Sequence, residues 1–343
     1  MAMTTVPSRN IGLDLVRVTE TTALIAGRWL GSGNREGAHR AATRAMARAL
    51  NTLDIDGRVV VGEEGRVKET SPLDTGCKVG TGDGAEVDVA VDPVDGTALL
   101  VTGKLRALSV VAVAPRGTLW SPRSAVYMEK IVVDSEAAGV LTPECMDAPV
   151  AWTLALVARA KGKSVRDLQV IVLDRPRHRD LINEIRAAGA RVLLRDHGDT
   201  AGALVAVSPS TNADLLMGIG GVPEGITAAC AVRAMGGGML CRLAPQSQSE
   251  REAVLAAGLD IHRIMTCQEV VRSDQIFFAA TGITPGVLLK GVEYRGDVAR
   301  THSMVIRGET GTRRFIHTEY TQLKKTLAGL NLDDQLDEYE LTW

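Results

Sequence analysis

The sequence predicts an α/β protein. Strand-like segments rich in β-branched residues alternate with amphipathic helical segments along the 343 residues. The 35 glycines and the 3% aromatic content indicate many tight turns and a core packed mainly with Ala, Val, Leu and Ile. Carboxylates follow two of the predicted strands, which is where open α/β sheets keep their ligands. These three observations together favour an enzyme with a site at a sheet edge.

The first part of the chain predicts two helices followed by a strand. Apolar residues recur at helical spacing over residues 13–30, and this helix ends at Gly31-Ser32-Gly33. A second, Ala- and Arg-rich helix covers residues 39–53. The strand at residues 58–61 then ends in Gly62-Glu63, which places a carboxylate at the end of a strand.

The most informative segment is Asp92-Pro93-Val94-Asp95-Gly96-Thr97. The alternating run at residues 87–91 predicts a strand that delivers Asp92 to the sheet edge. Two carboxylates three positions apart can share a divalent cation, and the backbone N–H groups near Gly96 and Thr97 can face a phosphate. The segment therefore indicates metal-assisted phosphoryl transfer to water, with an ordinary Asp-Pro, Asp-Gly turn as the alternative.

Later segments continue the alternation of strands and helices. Strands are predicted at residues 108–114, 125–133, 170–173, 191–194, 215–221, 275–280, 303–307 and 313–318, and helices at 179–188 and 223–235. Residues 141–150 read as a connector. We therefore predict an N-terminal domain over 1–150 and a C-terminal domain over 151–343, with the alternative that 275–343 returns to the first domain.

Composition excludes several classes of protein. The 39 basic and 41 acidic residues nearly balance, which argues against a nucleic-acid or membrane surface as the main partner. The five cysteines are dispersed without a CxxC pair, which favours a reduced compartment. No apolar stretch reaches the length of a membrane span, and we expect a cytoplasmic protein.

A series of motifs resembles the class II fructose-1,6-bisphosphatases, and especially the bifunctional fructose/sedoheptulose bisphosphatases of that class. The motifs are Gly62-Glu63, residues 91–97, Tyr127-Met128-Glu129-Lys130, residues 174–178, Gly218 to Gly225 and residues 280–286. They occur in one order over about residues 11–320. The hexapeptide at 92–97 by itself recurs across the wider lithium-sensitive, Mg²⁺-dependent sugar-phosphatase superfamily.

The resemblance implies a layered α/β/α/β/α sugar-phosphatase fold with mixed sheets, Mg²⁺ or Mn²⁺, and hydrolysis of the 1-phosphate of a ketose bisphosphate. Carried over by position, it implies the metal ligands Glu63, Asp92, Asp95 and Glu224. It implies that Thr97 lies near the attacking water, and that the substrate contacts Asp95, Gly96, Thr97, Tyr127, Arg175, Arg177 and Asp199. The family also makes a homodimer or homotetramer the expected assembly, with roles such as gluconeogenesis or the Calvin cycle.

One departure from the family pattern falls on a metal ligand. The family has an aspartate early in the second helix, where this chain has His39. Imidazole binds Mn²⁺ or Zn²⁺ but suits Mg²⁺ poorly, so the substitution removes a negative charge and changes the expected metal preference. His39 is thus a candidate ligand, and a solvated His on the first helical turn is the alternative.

A second departure concerns the residue that helps activate the water through the threonine. The family has an aspartate there; anchoring the sequence on Pro72 puts Glu69 in that place, whereas anchoring on Gly76-Cys77-Lys78 puts Lys68 there. Glu69 could act as the catalytic base, and Lys68 would remove it. Both alternatives remain open from the sequence.

Two further departures concern a metal ligand and a substrate contact. Asp95 replaces the glutamate usual in this class, but aspartate is usual in the wider superfamily, so we expect it to remain a ligand. His197 replaces the first aspartate of an Asp-Gly-Asp motif. Together with Arg175 and the basic cluster at residues 177–179, the second change leaves a more cationic pocket than expected. Besides fructose-1,6-bisphosphate and sedoheptulose-1,7-bisphosphate hydrolysis, the alternatives are a specialised sugar bisphosphate as substrate, or a homologue that binds sugar phosphate without turnover.

Overall fold

The computed structural model describes residues 11–64 and 70–332. The helices of these residues are α1 (Ile11–Ala26), α2 (Arg35–Leu50), α3 (Thr97–Val101), α4 (Val150–Ala160), α5 (Arg179–Ala187), α6 (Asp199–Val207), α7 (Val222–Ala234), α8 (Gln248–Ala256), α9 (Cys267–Val270) and α10 (Leu323–Ala328). The strands are β1 (Ile55–Val61), β2 (Lys78–Val79), β3 (Ala85–Asp95), β4 (Leu108–Pro115), β5 (Tyr127–Val133), β6 (Gln169–Leu173), β7 (Arg191–Arg195), β8 (Leu215–Gly221), β9 (Gly238–Leu243), β10 (Met265–Thr266), β11 (Phe277–Gly282), β12 (Glu293–Arg295), β13 (Val298–Arg307) and β14 (Thr312–Tyr320).

The chain divides into two units. Unit 1 comprises the described residues up to Thr118 and again from Gln275, and unit 2 comprises Leu119–Asp274. The boundary predicted at residue 150 falls inside unit 2, because β5 pairs with β8 and β9, which come much later in the chain. The described strands after Gln275 lie in unit 1, because β11 pairs with β4.

Unit 1 contains a mixed sheet in the order β12-β13-β11-β4-β3-β1-β2, with β14 beside β13. Strands β1 and β3 are parallel, and the other pairs are antiparallel. Helices α1 and α2 pack against it, and Leu15 and Met46 share a buried cluster with Val59 and Val89. The parallel pair matters for the site because both strands end at the same sheet edge.

Unit 2 contains a second mixed sheet in the order β10-β9-β5-β8-β6-β7. Strand β6 is parallel to β7 and to β8, and the other pairs are antiparallel. Helices α4 and α5 pack against this sheet through a cluster that includes Leu154 and Ile185. The predicted α/β class with mixed sheets is confirmed.

Local sequence explains how the first helices end and begin. Helix α1 ends four residues earlier than predicted, at Ala26, because a 3-10 turn follows over Gly27–Trp29. Helix α2 begins at Arg35, where Oδ1 of Asn34 accepts a hydrogen bond of 2.9 Å from the N–H of Gly37. This capped start puts His39 on the second turn of α2.

The described part of the chain contains no helix with both the length and the apolar content needed to cross a lipid bilayer. All five cysteines lie in that part as free thiols.

Candidate active site

A β-bulge places Asp92 and Asp95 on one face of the sheet in unit 1. Asp92 lies opposite Val110 of β4, whereas Asp95 lies opposite Leu108, so β3 carries one extra residue between them. Residues three apart on a regular strand face opposite sides, and the extra residue restores the same side. Both residues are buried: Asp92 is 5% exposed and Asp95 is 3% exposed. Because of the bulge, two carboxylates that are three residues apart in the sequence lie on the same face of the sheet.

Glu63 lies at the same sheet edge as this pair, because β1 runs parallel to β3 and ends two residues before Glu63. The N–H of Glu63 donates to the carbonyl of Leu73 at 3.2 Å. A Cβ atom on Gly62 would overlap the backbone of Leu73 and approach Thr75 N to 2.6 Å, so glycine is required for this close approach. Backbone packing thus holds the Glu63 carboxylate, which is buried.

His39 contacts the Glu63 side chain. Its Nε2 atom lies 3.2 Å from Oε2 of Glu63 and 3.5 Å from Oγ1 of Thr43. His39 is only 5% exposed, so the alternative of a solvated histidine is wrong. An imidazole N–H can donate to the carboxylate here, where an aspartate would add a second negative charge.

Gly96 and Thr97 begin helix α3 directly after the carboxylate pair. Gly96 has φ of +91°, in the left-handed region that favours glycine, and this sharp turn ends β3. The Thr97 hydroxyl donates to the carbonyl of Val94 at 3.2 Å, within the bulge. The turn fixes the threonine next to the two aspartates.

The loop after Glu63 carries the alternative base residues, Lys68 and Glu69, and both lie outside the described residues. Before the loop, the Glu64 carboxylate accepts bonds from the N–H and the hydroxyl of Thr75, at 3.0 and 2.7 Å. Glu69 therefore stays a prediction.

The donor chemistry of this edge fits a hard divalent cation. Three buried carboxylates from two adjacent parallel strands are oxygen ligands of the kind that Mg²⁺ and Mn²⁺ prefer. Within residues 11–64 and 70–332, no three His, Cys, Asp or Glu side chains already stand together as a closed metal cluster. The three carboxylates thus lie at one edge of the sheet, and their side chains would have to move closer together to bind one ion.

In unit 2, four of the five predicted site residues contact or pair with residues 218–221, the glycine-rich end of β8. A Cβ atom on Gly220 would overlap Oδ2 of Asp199, and one on Gly221 would overlap Oε2 of Glu224. Each carboxylate therefore lies directly on the strand backbone, in space that only glycine leaves open. Tyr127 is the sheet partner of Gly221.

Asp199 is paired with Lys130. The two side chains form a buried ion pair, in which Lys130 is fully buried and Asp199 is 6% exposed. A buried ammonium needs such a partner, because an unpaired charge in this place would be strongly destabilising. The Asp199 carboxylate is thus held in a fixed position by a cation that the sequence had not marked as functional.

Arg177 is held by Tyr127 and by β8. Its guanidinium carbon lies 4.9 Å from the centroid of the Tyr127 ring, and its Nη2 donates to the carbonyl of Ile219 at 2.9 Å. The side chain is otherwise exposed, so its remaining N–H groups can reach an anion.

His178 holds the other peptide group of Ile219. Its Nε2 accepts from the Ile219 N–H at 2.8 Å, and its Nδ1 bonds the carbonyl of Leu173 at 2.7 Å. Because a carbonyl only accepts and an N–H only donates, the ring is the neutral Nδ1–H tautomer. Burial lowers the pKa of His178 from its usual 6.5, and the charges of Arg177 and Lys130 lower it further.

The local topology of β8 explains why these side chains are needed. Strand β8 pairs with β6 only at Leu215 and Leu216, so no strand of the described residues pairs with the later residues of β8 on that side. Arg177 and His178 satisfy the backbone of Ile219 in place of a strand.

Arg175 has a different partner. Its Nη2 lies 3.0 Å from Nδ1 of His197, and its Nη1 donates to the carbonyl of Asp174 at 3.0 Å. A guanidinium can only donate, so His197 accepts at Nδ1. The histidine that replaces the family aspartate therefore orients Arg175 without adding a negative charge.

Comparison with known proteins identifies the family to which the chain belongs. Residues 9–320 match the family model described as "Bacterial fructose-1,6-bisphosphatase, glpX-encoded". The chain belongs to the class II fructose-1,6-bisphosphatase family. It is 39% identical over 324 residues to a class 2 fructose-1,6-bisphosphatase of Haemophilus influenzae, which covers 91% of this chain and 96% of that protein. It is 37% identical over 323 residues to fructose-1,6-bisphosphatase 1 class 2 of Escherichia coli K12, which covers 90% and 95%.

The class II fructose-1,6-bisphosphatases are phosphoric monoester hydrolases, so the resemblance seen in the sequence motifs is confirmed at the level of the family. Each predicted site residue in the described chain now has a structural position. In unit 1 these are His39, Glu63, Asp92, Asp95, Gly96 and Thr97; in unit 2 they are Tyr127, Arg175, Arg177, Asp199 and Glu224.

Sequence reasoning missed two residues of this site, Lys130 and His178. Lys130 lies in β5 between Met128 and Val132, the apolar residues two positions away on the same face, and a lysine at such a strand position is a signal that could have been used. His178 lies inside the motif at residues 174–178, where the sequence indicates only a member of a basic cluster. One of its two hydrogen bonds is to Leu173, five residues away, but the other is to Ile219 of β8, 41 residues away in the chain.

Proposed function

We propose that this chain hydrolyses the 1-phosphate of a ketose bisphosphate, either fructose-1,6-bisphosphate or sedoheptulose-1,7-bisphosphate, with Mg²⁺ or Mn²⁺. The observation that carries the proposal is the bulge in β3, which turns Asp92 and Asp95 to one face directly before Gly96 and Thr97. A carboxylate pair beside a glycine turn suits a cation and a phosphate at one place. A cytoplasmic location is part of the proposal.

In this proposal, Glu63, Asp92 and Asp95 would hold the cation, and Glu224 would be a further ligand by family resemblance. A bound cation would neutralise phosphoryl oxygens and lower the pKa of a water molecule. Thr97 orients the water, and Glu69 accepts its proton. The backbone at Gly96 and Thr97 binds the reacting phosphate.

The unit 2 residues bind the rest of the substrate. Arg175 and Arg177 hold the distal phosphate through charge-assisted hydrogen bonds, and Tyr127 restricts the position of Arg177. Asp199 accepts from a sugar hydroxyl while Lys130 holds the carboxylate in place. Binding of the distal part of the substrate helps to orient the reacting phosphate.

The test is phosphate release from a panel of sugar bisphosphates, each assayed with Mg²⁺, Mn²⁺ and Zn²⁺. We expect release from fructose-1,6-bisphosphate or sedoheptulose-1,7-bisphosphate and little from the corresponding monophosphates. Release from a different sugar bisphosphate alone would replace the substrate but keep the chemistry. No release under any condition would leave the second candidate described next.

The second candidate is a homologue that binds sugar phosphate without turnover. The contact of 3.2 Å between His39 and Glu63 favours it, because a hydrogen-bonded Glu63 is less available to a cation. The substitution His39→Asp separates the two candidates. In a working enzyme we expect it to raise activity with Mg²⁺ about tenfold relative to activity with Mn²⁺, because Mg²⁺ prefers oxygen to imidazole.

The matched control is Thr43→Ser, which keeps the hydroxyl beside His39 and leaves the metal preference unchanged. If the Mg²⁺-to-Mn²⁺ ratio of the His39→Asp variant equals that of the parent, His39 does not determine metal preference.

A further inference from the structure

Strand β14 is a long edge strand in unit 1. Its nine residues pair with Ala299–Arg307 of β13 over their full length. Among the residues that the structure describes, no strand pairs with the other side of β14. A long strand edge is a template for another strand, because alternate N–H and C=O groups point outward along it.

Apolar surface accompanies this edge on both faces of the sheet. On one face, Phe315 is 48% exposed, and His317 stacks on His302 with ring centroids 4.0 Å apart. On the face toward α1, two cavities of about 780 and 320 Å³ border the strand, and both are lined by Leu13, which is 54% exposed. Large exposed apolar side chains gathered along an open edge indicate an interaction surface.

We propose that β14 pairs antiparallel with β14 of a second copy of this chain, about a two-fold axis perpendicular to the sheet. Such an axis maps each face of the sheet onto itself, so a residue of one copy lies opposite a residue of the other copy that points to the same face. Because side chains alternate between faces along a strand, the two residue numbers of each opposed pair add up to an even number. The register that pairs all nine residues is centred on Ile316, which lies opposite itself.

The side chains of β14 are complementary to themselves in this register. Arg313 lies opposite Glu319 of the other copy and Phe315 lies opposite its His317, and each pair occurs twice. Opposite charges and aromatic pairs at directly opposed positions stabilise antiparallel strands. Glu319 already bonds Arg300 of its own chain at 2.6 Å, and Arg313 would add a second cation.

The neighbouring registers lack this complementarity. A register centred on Phe315 would place Arg313 opposite His317 of the other copy and would leave Glu319 without a residue of β14 opposite it. A centre at His317 places Phe315 opposite Glu319. The charge pattern therefore selects full overlap, and it selects a second copy of the chain over an unrelated strand.

The first test uses a single cysteine on the proposed axis. In the Ile316→Cys variant the two Cα atoms would be about 4.5–5.5 Å apart, which a disulfide can span. The matched control is Phe315→Cys, whose two copies would be about 8 Å apart, because they are offset by two residues along the strand. We expect at least tenfold more disulfide-linked dimer from Ile316→Cys under mild oxidation, measured on non-reducing gels against the parent. Equal linkage, or more from the more exposed Phe315→Cys, overturns the register.

The second test reverses charges in two separate variants, Arg313→Glu and Glu319→Arg. Each variant alone places like charges opposite each other twice, so we expect its dimer dissociation constant, measured by sedimentation, to rise at least tenfold. An equimolar mixture restores both pairs as opposite charges and should form a dimer of the two variants. The control Arg44→Glu, an exposed reversal on α2, should dimerise like the parent.

A monomeric parent at micromolar concentration overturns the proposal, and so does a parent dimer that none of the β14 substitutions affects. Neither result bears on phosphate release, so the failure of this interface and the failure of the proposed function are distinguishable.

Discussion

Lys130 and His178 each hold a group that the proposed substrate residues depend on. Lys130 fixes the Asp199 carboxylate, and His178 fixes the β8 backbone that also accepts from Arg177. Each residue can therefore affect substrate binding without contacting the substrate. At the scale of single residues, the candidate site of unit 2 is therefore a set of side chains positioned by other buried polar side chains.

His178 should make stability depend on pH. Its pKa in the folded chain is lowered from 6.5, chiefly by burial, so below about pH 6.5 the unfolded chain binds a proton that the folded chain does not. The free energy of unfolding should therefore fall as the pH drops below 6.5 toward the folded pKa, and this contribution should be constant above 6.5. Urea unfolding at several pH values between about 5 and 7.5 measures the slope.

The variant His178→Gln should show a shallower slope over that range. The slope should not vanish, because burial also lowers the pKa of His302, and protonation of that residue likewise favours the unfolded chain as the pH falls. His262→Gln, at an exposed position, is the control and should keep the slope of the parent. A His178→Gln variant with the full parental slope would contradict this assignment.

At the scale of elements, a buried carboxylate ties helix α1 to β13 and β14. Oε1 of Glu20 accepts hydroxyl bonds from Thr301, Ser303 and Thr318, and Oε2 accepts one of 2.7 Å from Tyr320. Glu20 is 2% exposed. Four hydroxyl donors satisfy the carboxylate, so a polar residue in the middle of a buried helix face is stable there.

The substitution Glu20→Leu should therefore lower the free energy of unfolding by at least about 2 kcal/mol, because several buried hydroxyls would lose their acceptor. Glu36→Gln, which removes an exposed ion pair with Arg40 on α2, should cost less than about 1 kcal/mol. Denaturant unfolding of both variants measures the difference. Equal losses would mean that the hydroxyl bonds to Glu20 add nothing beyond a surface interaction.

At the scale of the whole molecule, the proposed cation should stabilise the folded chain. A ligand that binds only the folded state at about a hundred times its Kd adds about 2.7 kcal/mol to the free energy of unfolding. We expect Mn²⁺ without substrate to raise the melting temperature of the parent, and Asp92→Asn to lose most of that rise. The exposed Asp83→Asn should respond like the parent, and an equal response of all three proteins would argue against Asp92 as a ligand.

The sequence by itself determined the α/β class, the family, and the strand ends that carry acidic residues. These features depend on local periodicity and on motifs that lie close together in the chain, such as residues 92–97. It also identified most of the strands and helices, with ends displaced by a few residues, as at Ala26 of α1.

Only the tertiary structure decided how distant segments combine. The sheet to which β5 belongs and the pairing of Lys130 with Asp199 depend on partners far away in the chain. The bulge that turns Asp95 to the face of Asp92 depends on the register with the next strand, β4. The physical reason is that strand pairing and buried ion pairs are interactions between surfaces, and a single strand has the same local pattern whichever neighbour it has. His39 illustrates the difference, since its residue type suggested a ligand or a solvated side chain, and the fold buried it against Glu63.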